Sequence, residues 1–334
     1  MAALTANDDW HVGILVGPHP CEVQPEVAFC QLLKLLTCTY GRLRGGHIAL
    51  FHICLVLVPM RHLTLCFLEG IVPHVPLAID RTGSGPPLVL IHGLGSSRRV
   101  WDGPLELLQS EREVIAIDLP GFGDSPVLNT TPTPDALADA LEELFVDLGL
   151  TRPAVAGNSL GGLLSLELAR RGVVSSAVAL SPAGFATPGE ARFASISLAL
   201  SRKAAGAISG LLPKLVQYPA GRIALTAQLA AHPTRIPPTE MLTAISGLTD
   251  SPGFDATRKA LFDYVWTSRE PLPVTATIAW AERDHLLLPR QARRAEAWIP
   301  GIRSIGLRDC GHVPCWDNPS LVARTILEGT APGS

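Results

Sequence analysis

From about residue 74 onward, apolar runs of strand length alternate with stretches of helical periodicity. Residues 87–92 (Pro-Leu-Val-Leu-Ile-His) and 113–118 (Glu-Val-Ile-Ala-Ile-Asp) are the clearest runs, and 153–157, 176–180, 274–280 and 303–307 follow. Runs that are apolar at successive positions suit parallel strands buried on both faces. Between them lie helical patterns. Thr133-Pro134-Asp135 supplies a capping residue, a proline at the first helical position and an early acid. Leu137, Leu141, Leu144, Phe145 and Leu148 then form one apolar stripe, which Gly149 can end. Residues 159–171 read as a second helix stopped by Gly172, and 319–328 as a last one stopped by Gly329. Strands alternating with helices predict an α/β fold, a doubly wound and mostly parallel sheet.

The strand rhythm stops between Pro182 and Pro273. That stretch is rich in Ala, Leu and Ser, with helical spacing and several proline breaks, and about four short helices are expected from 191 to 266. It reads as an insertion between two late strands. The expected division is an N-terminal extension over 1–60, poorly ordered; a core over 61–182 and 271–330, opening on a strand at 63–68; and the helical insertion over 183–270.

Composition accounts for the front of the chain differently from the rest. Hydrophobic residues are 47% of the total and charged residues 17%, which is too apolar for a disordered chain. Net charge is −3, so no basic footprint for nucleic acid appears at the whole-chain level. Five of the seven cysteines (Cys21, Cys30, Cys38, Cys54, Cys66) lie in the first 70 of the 334 residues. Their spacings lack the short pairs of a zinc module, and no metal is expected. The opening Met-Ala-Ala-Leu-Thr-Ala-Asn-Asp-Asp is acidic and unlike a secretory signal, so neither a disulfide framework nor export is expected, and the location is read as cytoplasmic. The apolar run from Ile48 to Pro59 is far short of the roughly 20 residues a membrane span needs. Residues 1–59 are expected to be dispensable, an upstream extension ahead of Met60.

The chemistry concentrates in Gly157-Asn158-Ser159-Leu160-Gly161-Gly162, which follows an apolar strand and opens a helix. A serine there sits on a sharp turn with its hydroxyl at the C-terminal edge of the sheet, and Gly157 and Gly161 leave room that a Cβ would fill. A serine hydroxyl is a weak nucleophile and needs a base, which in turn needs an orienting acid. His312, in Asp309-Cys310-Gly311-His312-Val313-Pro314, follows the last expected strand. Asp284 follows the strand before it, in the chain order Ser, Asp, His. Glu282, Asp118 and Asp317 are rival acids. Glu282 lies nearer the strand, Asp118 precedes the serine, and Asp317 follows His312 too closely. Oxyanion donors are expected from the N–H groups of Leu160, directly after the serine, and Leu94, in His92-Gly93-Leu94-Gly95. His92 and Gly93 support that turn without moving protons.

Taken together, Leu90-Ile91-His92-Gly93, the 118–125 loop, residues 157–162, Asp284 and Gly311-His312 resemble the α/β-hydrolase fold superfamily, over about residues 74 to 329. The resemblance implies a sheet of the α/β-hydrolase type with an inserted helical cap over the site. It also implies Ser159 as nucleophile, His312 as base and Asp284 as its orienter. Serine at the elbow sets the chain apart from relatives that use an aspartate nucleophile, such as haloalkane dehalogenases. What is implied is a serine hydrolase without metal or cofactor, cleaving a small or medium apolar carboxylic ester through an acyl-enzyme. A C–C bond hydrolase or cofactor-free perhydrolase on the same residues is the alternative, and a ligand-binding protein on a hydrolase scaffold is a third. The partner is a small apolar ester or acyl substrate, with no nucleic acid and no stable membrane span.

Overall fold

The six apolar runs after residue 74 are all strands, and one sheet gathers them. A computed structural model of the chain describes residues 11–15, 20–23, 52–57, 62–68 and 75–331. The chain divides into two compact units, Met1–His74 and Val75–Ser334. In the first, β1 (His11–Leu15), β2 (Pro20–Val23), β3 (His52–Leu57) and β4 (His62–Leu68) form a sheet in the order β2-β1-β4-β3. The strand expected at 63–68 is thus present as β4, but it pairs with β1 and β3 and not with the large sheet. Most of the extension, including the region of the front cysteines and histidines outside those strands, lies outside the described residues.

The second unit contains β5 (Ile79–Gly83), β6 (Pro87–Ile91), β7 (Glu113–Ile117), β8 (Ala154–Asn158), β9 (Ser176–Leu180), β10 (Thr275–Ala281) and β11 (Arg303–Leu307). Their order is β11-β10-β9-β8-β6-β7-β5, parallel throughout except for the edge strand β5, which runs antiparallel to β7. The core therefore opens on β5. Sequence pattern missed that strand because Ile-Asp-Arg-Thr-Gly is half-buried at an edge and has no apolar run.

Continuous apolar sequence follows from burial on both faces. Val89 and Ile91 of β6 enter one core cluster, and Leu88 and Leu90 enter the other. Burying each such side chain contributes about 1.5–3 kcal/mol. The helices divide between the faces. On one side lie α2 (Pro134–Asp147) and α3 (Leu160–Arg171), and on the other α1 (Asp102–Gln109) and the last helix (Pro319–Gly329). Thr133 accepts a hydrogen bond from Ala136 N–H, and Gly172 ends α3 with φ 73°, as glycine permits and other residues resist.

Between β9 and β10 lie α4 (Pro188–Ala207), α5 (Leu212–Leu215), α6 (Pro219–Thr226), α7 (Pro238–Asp250) and α8 (Phe254–Asp263). The first of these is one helix of 20 residues, longer than expected, because Thr187 and Glu190 form a reciprocal capping box that starts it at Pro188. Between β10 and β11 lies α9 (Arg290–Trp298), and after β11 come α10 (Pro314–Asp317) and α11 (Pro319–Gly329). The insertion is tied to the sheet's helices at Glu190, whose buried carboxylate takes bonds from Arg290 and Arg294 of α9. Among the described residues, no helix is long and apolar enough to cross a membrane.

Candidate active site

The chain runs from β6 to β7 on one side and then returns to place β8 on the other side of β6. The C-terminal ends of β6 and β8 therefore part at a switch point, where such sheets bind ligands. The loop from His92 leaves β6 there, and Ser159 leaves β8.

Ser159 joins β8 to α3 with φ 58° and ψ −112° and is 8% exposed. A non-glycine residue with positive φ is strained and persists only where its surroundings hold it. Here the hold is visible: Ser159 N–H donates to Leu180 O (2.9 Å), and its carbonyl accepts from Leu163 N–H and Ala183 N–H. The turn also needs small residues. A Cβ on Gly161 would stand 2.0 Å from Ile91 O, and one on Gly157 2.1 Å from Gly161 O. Leu160 is the first residue of α3, so its N–H has no partner within the helix.

Asp284 and His312 meet at the ends of the adjacent strands β10 and β11. His312 Nδ1 lies 2.7 Å from Asp284 Oδ2, with both side chains buried. Asp284 Oδ1 accepts from Leu286 N–H (2.9 Å) and Leu287 N–H (2.7 Å), so the carboxylate is aimed before the histidine meets it. An ionised carboxylate only accepts, which assigns the proton to His312 Nδ1 and leaves Nε2 with its lone pair in the neutral ring.

The rival acids are occupied elsewhere. Glu282 is exposed, and its carboxylate lies beside Gly306. Asp118 is buried against Arg98 and accepts from Arg98 N–H (2.7 Å) and Asp124 N–H (2.9 Å). Asp317 accepts from Gly311 N–H (2.7 Å), Ala231 N–H (2.9 Å) and His232 N–H (2.8 Å). It binds the histidine loop to the insertion, as does Val313 N–H donating to Leu229 O (2.8 Å).

His92 sits under the β6 loop. Leu119 N–H donates to its Nε2 (2.9 Å), so Nδ1 carries the hydrogen and donates to Gly93 O (2.7 Å). Burial lowers its pKa, in keeping with a neutral ring whose two nitrogens are both taken. Gly93 packs against the serine, since a Cβ on it would lie 3.2 Å from Ser159 Cβ. Leu94 follows immediately.

Two residues with a positioning part carry no role in the sequence reading. Asn158, inside the Gly-Asn-Ser motif, donates from Nδ2 to Leu180 O (3.1 Å) and His312 O (2.9 Å), linking the serine turn to the histidine loop. By sequence, Asp317 stands only as a rival acid. For Asn158 the available signal was a polar amide at the end of an otherwise apolar buried strand, where it must find partners.

Ser159, His312, Gly93, Leu94 and Asn158 open on one cavity of about 70 Å³. Its other walls are mainly aliphatic: Leu198, Leu225, Leu229, Ile245, Leu248 and Leu261 come from the insertion, and Leu286 and Leu287 from beyond β10. No Lys, Arg, Asp or Glu lines it among the described residues. The thiols of Cys310 and Cys315 are buried nearby, and burial pushes Cys310 up to about 12 and Cys315 higher still. Among the described residues, no group of three His, Cys, Asp or Glu side chains is placed to hold a metal.

Comparison with known proteins adds independent findings. A family model described as the alpha/beta hydrolase family matches residues 88–325. An uncharacterised protein of Mycobacterium bovis is 28% identical over 271 residues, covering 75% of this chain and 77% of its own. A pimeloyl-(acyl-carrier protein) methyl ester esterase of Legionella pneumophila is 36% identical over 91 residues, 27% of this chain and 35% of its own. Among solved structures, the enol-lactonase of Burkholderia xenovorans superposes with a TM-score of 0.63 at 19% identity, covering 78% of this chain and 98% of its own, a likeness of fold.

Proposed function

The chain belongs to the alpha/beta hydrolase family and is a hydrolase, and on that premise we propose that it cleaves a small or medium apolar carboxylic ester with Ser159, His312 and Asp284. The observation that carries this reading is the Asp284–His312 contact of 2.7 Å opening on the same cavity as a strained serine between strand and helix. In the proposed reaction, Ser159 Oγ attacks the ester carbonyl while His312 Nε2 takes its proton. Asp284 holds the ring in the required tautomer and stabilises the imidazolium. The tetrahedral oxyanion is met by the N–H groups of Leu160 and Leu94. The first is left open by its place at the start of α3, and the second is brought close by Gly93. His312 returns the proton to the departing alcohol, and water then releases the acid from the acyl-enzyme by the same steps in reverse order of partners.

The ester is favoured over the C–C alternative by the walls of the cavity. Leucines from the insertion, which acts as the cap in this reading, suit an uncharged acyl chain. No cation is at hand among the lining residues to meet a substrate carboxylate. The similarity to a methyl ester esterase over 91 residues points the same way.

The test is a fluorophosphonate label and an aryl ester assay on the full chain. Labelling at Ser159 and loss of turnover in Ser159→Ala are expected, with Asp284→Asn falling by about 10⁴ through the wrong tautomer. Equal turnover by Ser159→Ala and the parent chain would sink the proposal.

A further inference from the structure

The insertion carries a charge pattern that the proposed reaction does not use. Residues 191–239 contain six Lys and Arg (Arg192, Arg202, Lys203, Lys214, Arg222, Arg235) and no Asp or Glu. The rest of the chain holds 21 Lys and Arg against 30 acids, so a segment of charge +6 sits in a chain of net charge −3. Arg202 is engaged by Asp255 and by the carbonyls of Thr249 and Ser251, and Arg222 by Val216 O. Arg192, Lys203 and Lys214 are exposed, with no salt bridge among the described residues, while the exposed Arg235 acts on the Asp309 carboxylate.

The same segment is exposed in its apolar side chains. On α4, Phe193 (51% exposed), Ile196 (46%) and Leu200 (61%) recur at i, i+3 and i+7 and so share one stripe. The opposite face, with Ala194, Leu198 and Ala205, is buried. Lys203 continues the stripe at the next turn. Leu211, Tyr218 and Ile223 are exposed further along. Of the ten large hydrophobic residues exposed among the described residues, six belong to this acid-free segment. Clustered apolar exposure marks a contact surface, whereas scattered single residues would need no explanation.

We propose that the outer face of the insertion docks on an anionic phospholipid surface. An apolar stripe set among unpaired cations on an amphipathic helix is the pattern that lies in the plane of a bilayer interface, apolar side chains among the acyl chains and cations at the phosphates. A second copy docking through the same face would bring like charge against like. No described helix can span a bilayer, so the contact is with its surface. Leu198 lines the cavity from the inner side of α4, which places the docking helix directly over the candidate active site.

The experiment is sedimentation of the full chain with vesicles of phosphatidylglycerol and, separately, of phosphatidylcholine. Binding to the anionic vesicles alone, suppressed by high salt, is expected. Lys203→Gln with Lys214→Gln should weaken it about 25-fold, at about 5-fold for each cation at the surface. Phe193→Ser with Leu200→Ser should weaken it in the same direction, with circular dichroism and melting unchanged to show that the fold is intact. Equal binding to the two lipids, or binding that neither double variant alters, overturns the proposal. So does a dimer in light scattering that Phe193→Ser with Leu200→Ser dissociates, since the stripe would then be an interface between copies.

Discussion

Asn158→Ala tests how the site is held together. The Asn158 amide is buried and spends its two N–H donors on Leu180 O at 3.1 Å and His312 O at 2.9 Å. Leu180 O keeps a second donor, Ser159 N–H at 2.9 Å. Losing that first bond costs about 0.5–1.5 kcal/mol, and leaving the His312 carbonyl unpaired in a buried place costs about 1–3 kcal/mol. The sum is about 1.5–4.5 kcal/mol. At about 2–4 °C per kcal/mol for a unit of this size, melting should fall by about 3–18 °C. The rate should suffer more than stability, because the lost bond is to the backbone of the residue read as the base. A displacement of order 1 Å there costs about 10²-fold. Asn158→Asp is the companion variant: it keeps the volume but turns acceptors toward two carbonyls, and it should be at least as harmful. Differential scanning fluorimetry and aryl ester turnover measure the two effects separately. A variant melting within about 1 °C of the parent chain and turning over at the same rate would show that Gly311–Asp317 and Val313–Leu229 hold the histidine loop unaided.

Gly161→Ala should destabilise by about 3 kcal/mol or more, at the top of the range for overpacking, because its Cβ would meet the β6 backbone at 2.0 Å; an unchanged urea midpoint would refute this. At Glu190, burial pushes the carboxyl up, but Thr187 N–H with Arg290 and Arg294 outweighs it and holds the pKa below its usual 4.5. The unfolded chain then binds the proton more readily. The stabilisation is present above the ordinary carboxylate value and is lost as the pH falls through the lower folded value. The stability gap between the parent chain and Glu190→Gln should therefore be wide at neutral pH and close in acid, and a gap independent of pH counts against the ion pairs. Cys310 and Cys315 should resist iodoacetamide in the native chain at about pH 8 and react once it is unfolded, as peptide mass mapping reads directly, because burial keeps both thiols protonated.

How much of the fold is legible depends on burial. Strands β6 to β10 are covered on both faces, so nearly every position is apolar and the run announces itself. The edge strand β5 needs no such pattern and is silent in sequence. Pattern detects β4 equally well but is blind to its partners, because pairing with β1 and β3 is a matter of register between distant segments. The long α4 was readable from Thr187-Pro188-Gly189-Glu190, a local capping signal.

By itself, the sequence determined the local parts of the site. Ser159 between an apolar strand and a helix, with glycine on either side, is a turn that neighbouring residues dictate by steric exclusion. His312 after the last strand is likewise a matter of order along the chain. Which carboxylate lies against His312 was decided only in three dimensions. Asp284 and Glu282 are two residues apart in sequence. Backbone N–H groups of Leu286 and Leu287 turn one carboxylate inward, while the other is left at the surface. The roof of leucines and the Asn158 bridge depend in the same way on segments distant in the chain. Hydrogen bonds and packing between such segments have no local periodicity, so only the folded chain displays them.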